Sequence, residues 1–213
     1  IGTTERSKYS AKLKKPGEDG IPTRYLMADF LKAIDDKRRK LMPMDVVDIT
    51  EENLKAFESI LSSLPNDIQL QISNSSAIRY AQLFDIEKSI EVFCNRGTSG
   101  IDGSTSSAIG AASVVKENTV FLTGDISFFY DSNALWNAYI PNNFRIILVN
   151  NGGGGIFRFI PGPDKSPFLE EFFETKHQWS TEKIAETFDV NYFKASSEKE
   201  LLGVLKVFYS EMS

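Results

Sequence analysis

From residue 68 onward the hydrophobic pattern switches repeatedly between two periods. Ile68-Gln69-Leu70-Gln71-Ile72 alternates apolar and polar positions, the period of a strand, and polar Ser73-Asn74-Ser75-Ser76 leads into a helix predicted from Ala77. Ile90–Cys94, Thr119–Thr123 and Phe144–Val149 read as further strands, and helices are predicted over Ser104–Lys116 and Phe128–Ala138. A helix near Thr181–Phe188, a short strand near Tyr192 and a last helix from Glu198 complete the series. Upstream, Tyr25, Leu26, Phe30, Leu31 and Ile34 recur at helical spacing, with basic residues crowding the end near Lys37–Lys40. A second upstream helix starts at Thr50, a good N-cap with Glu51 and Glu52 in its first turn, and runs to about Ser63. Strands alternating with helices predict an α/β fold: a doubly wound parallel sheet with helices on both faces.

Composition refines this picture. The chain has 213 residues, 41% hydrophobic and 25% charged, as expected of a folded domain. Residues 1–40 carry eleven Lys/Arg against six Asp/Glu, which leaves the rest at −10 within an overall −5. Ile1–Gly20 holds few large apolar residues, so the division expected is a tail or linker over 1–22, a helical lead-in over 23–65 and the α/β domain over 66–213. The acidic balance argues against a dedicated nucleic-acid binder. Apolar runs are short, as in Phe144–Val149 broken by Arg145, so no membrane span is expected. A single cysteine, Cys94, excludes a disulfide scaffold and reads as a small core residue. The sequence opens at Ile1 without an initiator methionine or a signal-peptide pattern, so a cytoplasmic piece of a larger protein is expected.

Candidate chemistry lies where chain leaves strands, because ligands of open parallel sheets bind beyond the carboxyl ends. One strand runs into Gly124-Asp125-Ile126-Ser127 and the next into Asn150-Asn151-Gly152-Gly153-Gly154-Gly155. A carboxylate, an amide oxygen and a free carbonyl suit Mg²⁺, which fills its remaining positions with water and phosphate. Glycines let backbone approach phosphate oxygens closely, and helix N-terminal N–H groups point at the anion. Asp125 could instead simply cap its helix, with the glycines forming a loose turn. Their placement on consecutive strand ends, Asp125 and Asn151 twenty-six positions apart, favours a metal-bridged diphosphate. Neither a P-loop nor a Gly-x-Gly-x-x-Gly fingerprint occurs. His177, the only histidine, sits in the polar stretch Thr175–Trp179 and reads as surface or structural. The Phe128-Phe129-Tyr130 cluster reads as helix packing.

Gly124-Asp125 followed by Asn150-Asn151 resembles the cofactor motif of the thiamine-diphosphate decarboxylase and synthase superfamily, with Ile126 where a third glycine is usual. Asn95-Arg96-Gly97-Thr98-Ser99-Gly100-Ile101-Asp102-Gly103, Tyr130-Asp131-Ser132-Asn133-Ala134-Leu135 and Gly154-Gly155-Ile156-Phe157 narrow the likeness to its menaquinone-biosynthesis branch. The similarity runs from about Asn74 to Pro163, and more loosely to the end. It implies that Asp125, Asn151 and the Gly153 carbonyl hold Mg²⁺ (or Mn²⁺) against thiamine diphosphate. Asn74, Gly100, Gly124, Ile126, Ser127 and Gly154 would line the cofactor, and Ile101 would be the apolar wedge that bends it. The branch joins 2-oxoglutarate to isochorismate. The likeness assigns Ser75, Arg79 and Arg96 to these anions, and Ile156, Phe157 and Ile160 to the wall over the acceptor ring. Arginine's planar fork suits carboxylates.

The same family places a glutamate, needed on the cofactor's pyrimidine ring, in a separate domain of a partner subunit in a homo-oligomer. No such domain fits here, and the chain stops at Ser213 before an expected last strand and helix. The piece alone is therefore expected to be inactive. Another thiamine enzyme, of the acetohydroxyacid synthase or oxoacid decarboxylase type, and a non-enzymatic Mg-phosphate module remain alternatives.

Overall fold

The computed structural model describes residues 51–158 and 160–210. The expected tail, the helix over Tyr25–Ile34 and the Thr50 cap lie outside them. Its elements run α1 (Glu51–Ser62), β1 (Gln69–Ile72), α2 (Ser76–Ala81), β2 (Glu91–Cys94), α3 (Ser104–Ala112), β3 (Thr119–Gly124), α4 (Asp125–Tyr130), β4 (Phe144–Val149), α5 (Thr181–Thr187) and α6 (Glu198–Ser210). Short helical turns occupy Ser132–Trp136, Gly155–Arg158, Pro163–Lys165 and Leu169–Phe173.

The four strands form one all-parallel sheet in the order β2-β1-β3-β4. This is the expected α/β architecture. The chain leaves β1 toward β2 and then returns to β3 on the other side of β1, so a crevice opens between the carboxyl ends of β1 and β3. Two bonds fix these ends together: the Ser73 N–H donates to the Leu122 carbonyl at 2.9 Å, and the Gly124 N–H donates to Ser73 Oγ at 3.4 Å.

β3 is central, and Thr119 to Thr123 are all buried, as a strand covered on both faces requires. Phe121 joins Ala108, Ile109 and Ala112 of α3 with Phe128, Leu135 and Phe144 in one apolar cluster. Strand alternation turns Val120 and Leu122 to the opposite face, and both are fully buried. There α2 packs on β3, α1 packs on α2 and α6, and Phe57 stacks on Tyr80 at 4.8 Å. The small residues of α3 let it lie close on the sheet. Its first turn is tied by a distant carboxylate, Asp131, which accepts from the Ser106 N–H at 2.6 Å and from Ser106 Oγ at 2.7 Å.

That cap explains one departure from the sequence expectation. The helix expected over Phe128–Ala138 starts at Asp125 and breaks at Asp131, whose backbone (φ −128°, ψ 23°) leaves the helical region while its side chain holds α3. The helix expected to reach Lys116 ends at Ala112, with Val114 exposed to solvent. The strand expected near Tyr192 does not form. Val190, Tyr192 and Phe193 are exposed, and no described strand pairs with them. Among the described residues no helix is long and apolar enough to cross a membrane.

Candidate cofactor-binding site

A cavity of about 590 Å³ opens at the carboxyl ends of the strands. The turn after β1 contributes Asn74 and Ser75, and α2 adds Arg79. Ser75 takes φ 73°, in the left-handed region that costs a non-glycine residue on the order of 1 kcal/mol. In that conformation its carbonyl accepts from Arg79 Nη1 at 3.0 Å. The loop after β2 brings Gly100 and Ile101 to the cavity but not Arg96. Arg96 reaches the site through Asn74, donating from Nη1 to Asn74 Oδ1 at 2.9 Å, while Asn74 Nδ2 donates to the Ser99 carbonyl. A Cβ on Gly100 would collide with the Asp102 carboxylate.

β3 supplies Gly124, and α4 supplies Asp125, Ile126 and Ser127. Ser127 Oγ donates to the Ile101 carbonyl at 2.6 Å, fixing the segment that carries Ile101. β4 leads to Asn151, Gly153 and Gly154, and then to Ile156, Phe157 and Ile160, all on the cavity wall. The β3 and β4 loops meet at Asp125. Its Oδ2 accepts from the Gly152 N–H at 2.8 Å and from the Gly153 N–H at 3.0 Å, and its Oδ1 accepts from the Ile126 N–H at 2.8 Å. The carboxylate is thus 4% exposed yet hydrogen-bonded on both oxygens.

A strap over residues 169–177 lies along the glycine loop. The Gly154 N–H donates to the Glu174 carbonyl at 2.6 Å and the His177 N–H to the Gly152 carbonyl at 3.1 Å. A Cβ on Gly153 would stand 2.9 Å from that Glu174 carbonyl, so the close approach requires glycine. Arg158 clamps the strap through a two-pronged bond to Glu174 (3.0 and 2.6 Å) and a third to Glu170 at 3.0 Å. Lys176 joins Glu170 at 2.7 Å. The Lys176 hydrogen bond first, then that of Arg158, holds the Glu170 carboxyl below the usual carboxylate range.

Residues 74–212 match the thiamine pyrophosphate enzymes in their C-terminal TPP binding domain. The chain belongs to this family. It is similar to a 2-succinyl-5-enolpyruvyl-6-hydroxy-3-cyclohexene-1-carboxylate synthase of Flavobacterium johnsoniae, 52% identical over 191 residues, 88% of this chain and 34% of the relative. The synthase of the same name from Flavobacterium psychrophilum is 61% identical over 155 residues, covering 73% of this chain and 28% of its own. That of Porphyromonas gingivalis is 46% identical over 159 residues, covering 74% and 28%. The chain spans about a third of the length of these curated relatives.

In this thiamine pyrophosphate-binding domain the cavity is also lined by residues to which the sequence motifs did not point. Phe172, Phe173, Glu174 and Thr175 of the strap line the cavity, as do Asn53 and Phe57 of α1. His177 is not on the surface: its side chain is 2% exposed and its Nε2 lies 3.1 Å from Asp125 Oδ2. The aromatic run divides three ways. Phe128 enters the core, Phe129 packs edge-on against His177 and Trp179, and Tyr130 lines the cavity. Cys94, expected in the core, is instead half-buried at the end of the edge strand β2. Burial pushes its thiol up to about 11, against a smaller opposing pull from Arg96.

Proposed function

We propose that Asp125, Asn151 and the Gly153 carbonyl hold Mg²⁺ (or Mn²⁺) against the diphosphate of thiamine diphosphate. The residues present fit that group. Asp125 is buried at the junction of two loops, Gly153 is packed where no side chain fits, and the donor set is all oxygen. When bound, the cofactor supplies a thiazolium carbon that becomes a nucleophile toward oxo acids. Ile101, held in place through Ser127, would give the cofactor an apolar contact in the cavity.

The gene product as a whole is a carboligase that decarboxylates 2-oxoglutarate and transfers the succinyl unit to isochorismate in menaquinone biosynthesis. It works as a homo-oligomer in which a pyrimidine-binding domain of a partner subunit completes the site. The observation that carries this reading is the identity of 46% to 61% to synthases of that name over 73% to 88% of this chain. Ser75, Arg79 and Arg96 orient the carboxylates, Arg96 from a position already joined to Asn74. Ile156, Phe157 and Ile160 wall the acceptor ring.

The test is an assay of the intact gene product with 2-oxoglutarate and isochorismate, following loss of CO₂ and appearance of the coupled acid. Turnover of both substrates is expected, and decarboxylation of pyruvate in their place would reassign the protein to another thiamine branch. Asp125→Asn is expected to abolish Mg²⁺-dependent binding of thiamine diphosphate in calorimetry; retained affinity would overturn the ligand assignment.

A further inference from the structure

We infer that His177 is a positioning residue for the Asp125 carboxylate, setting which of its oxygens is presented to the divalent cation. The inference rests on the metal site proposed above. An ionised carboxylate only accepts hydrogen bonds, so His177 Nε2, 3.1 Å from Asp125 Oδ2, carries the proton. Nδ1 accepts from the Trp179 N–H at 3.2 Å. These two bonds assign the neutral tautomer with the hydrogen on Nε2.

The ring is held in its plane as well. Trp179 stacks on it at 4.6 Å and 14°, and Phe129 meets it edge-on at 5.2 Å. His177 is therefore a rigid donor. Asp125 Oδ2 receives three donors: this imidazole and the N–H groups of Gly152 and Gly153. Oδ1 receives one, the Ile126 N–H. A carboxylate oxygen has about two lone-pair sites, so Oδ2 is saturated and Oδ1 retains capacity for a cation. Of the donors on Oδ2, only His177 comes from the strap, and its own N–H is bonded to the Gly152 carbonyl. Seating the strap and orienting the carboxylate are thus one arrangement. Partners of this kind behind a metal ligand are worth about 10–100-fold in metal affinity.

Two variants separate this role from packing. His177→Phe keeps an aromatic ring between Trp179 and Phe129 but has no donor. His177→Gln keeps a donor at similar reach and loses the stack. Mg²⁺ is titrated calorimetrically into the intact gene product at saturating thiamine diphosphate, with folding checked by circular dichroism. The expected result is about tenfold or greater weakening of Mg²⁺ binding in His177→Phe, and affinity within about threefold of wild type in His177→Gln. The reverse order, or equal affinity in wild type and His177→Phe, overturns the inference while leaving the metal site in place. If His177→Phe does not fold, a tenfold loss in His177→Gln alone overturns it. A wild type that binds thiamine diphosphate without regard to Mg²⁺ removes the metal-site reading itself, and this inference with it.

Discussion

β3 and β2 both deliver a loop to the same cavity, but from opposite mechanical settings. Val120 and Phe121 at the centre of the sheet are 0% and 1% exposed, whereas Val92 and Phe93 on the edge strand are 43% and 45% exposed. The β3 end carries Asp125, locked by the glycine loop on one side and Ser73 on the other. The β2 end carries Arg96, which touches the site through one amide. Asp125, the carboxylate assigned to the cation, follows the buried central strand, while its proposed co-ligands Asn151 and Gly153 follow β4 beside it. The groups assigned to substrate carboxylates hang partly from the strand with least support.

The sharpest way to break this contrast is a pair of core truncations. Phe121→Ala is expected to cost about 3–5 kcal/mol in denaturant unfolding, because it empties a site closed on all sides. Phe93→Ala should stay within about 1 kcal/mol; comparable losses would show that the edge is covered in solution. Next comes Gly153→Ala, whose methyl meets the Glu174 carbonyl. It is expected to destabilise by about 1–3 kcal/mol and to weaken thiamine diphosphate binding. A variant of wild-type stability would mean that the strap lies off the glycine loop.

Cys94 sharpens the comparison at the inner end of β2. With its thiol raised to about 11, alkylation by iodoacetamide should be slow at pH 8 and accelerate toward pH 11. Fast labelling at pH 8 would place the whole of β2 in solvent. The smallest effect concerns Glu170. Its carboxyl is held below the usual range, so its contribution to the strap is complete above the unfolded value and is lost as pH falls through the lower folded one. Trp179 fluorescence is expected to stay constant through the ordinary carboxylate range and change only on further acidification. A change centred at the ordinary value would mean that Glu170 has no working partner.

Much of the site could be read in advance because its parts follow strand ends, and strand ends are announced by a change of period. Asn74, Gly124, Asp125 and Asn151 each stand within three residues of such a change, and the structure gathers them on one cavity. His177 carried no such signal. Its partner is fifty-two positions away, and the strap that carries it is held by Arg158, Glu170 and Glu174, charged residues that look like solvated surface in sequence. The helix break at Asp131 was hidden for a similar reason. Local propensity favours continuation, and the competing partner, Ser106, lies twenty-five residues upstream. The Tyr192 segment has strand-like residues but pairs with none of the described strands.

The order of strands has an evolutionary corollary. The crevice exists because the chain departs β1 in one direction and β3 in the other, whatever side chains line it. Descendants of this domain can therefore exchange the residues around Ser75, Arg79 and Arg96, proposed above to meet the substrate acid, without disturbing Asp125 and the glycine loop, proposed to hold the coenzyme.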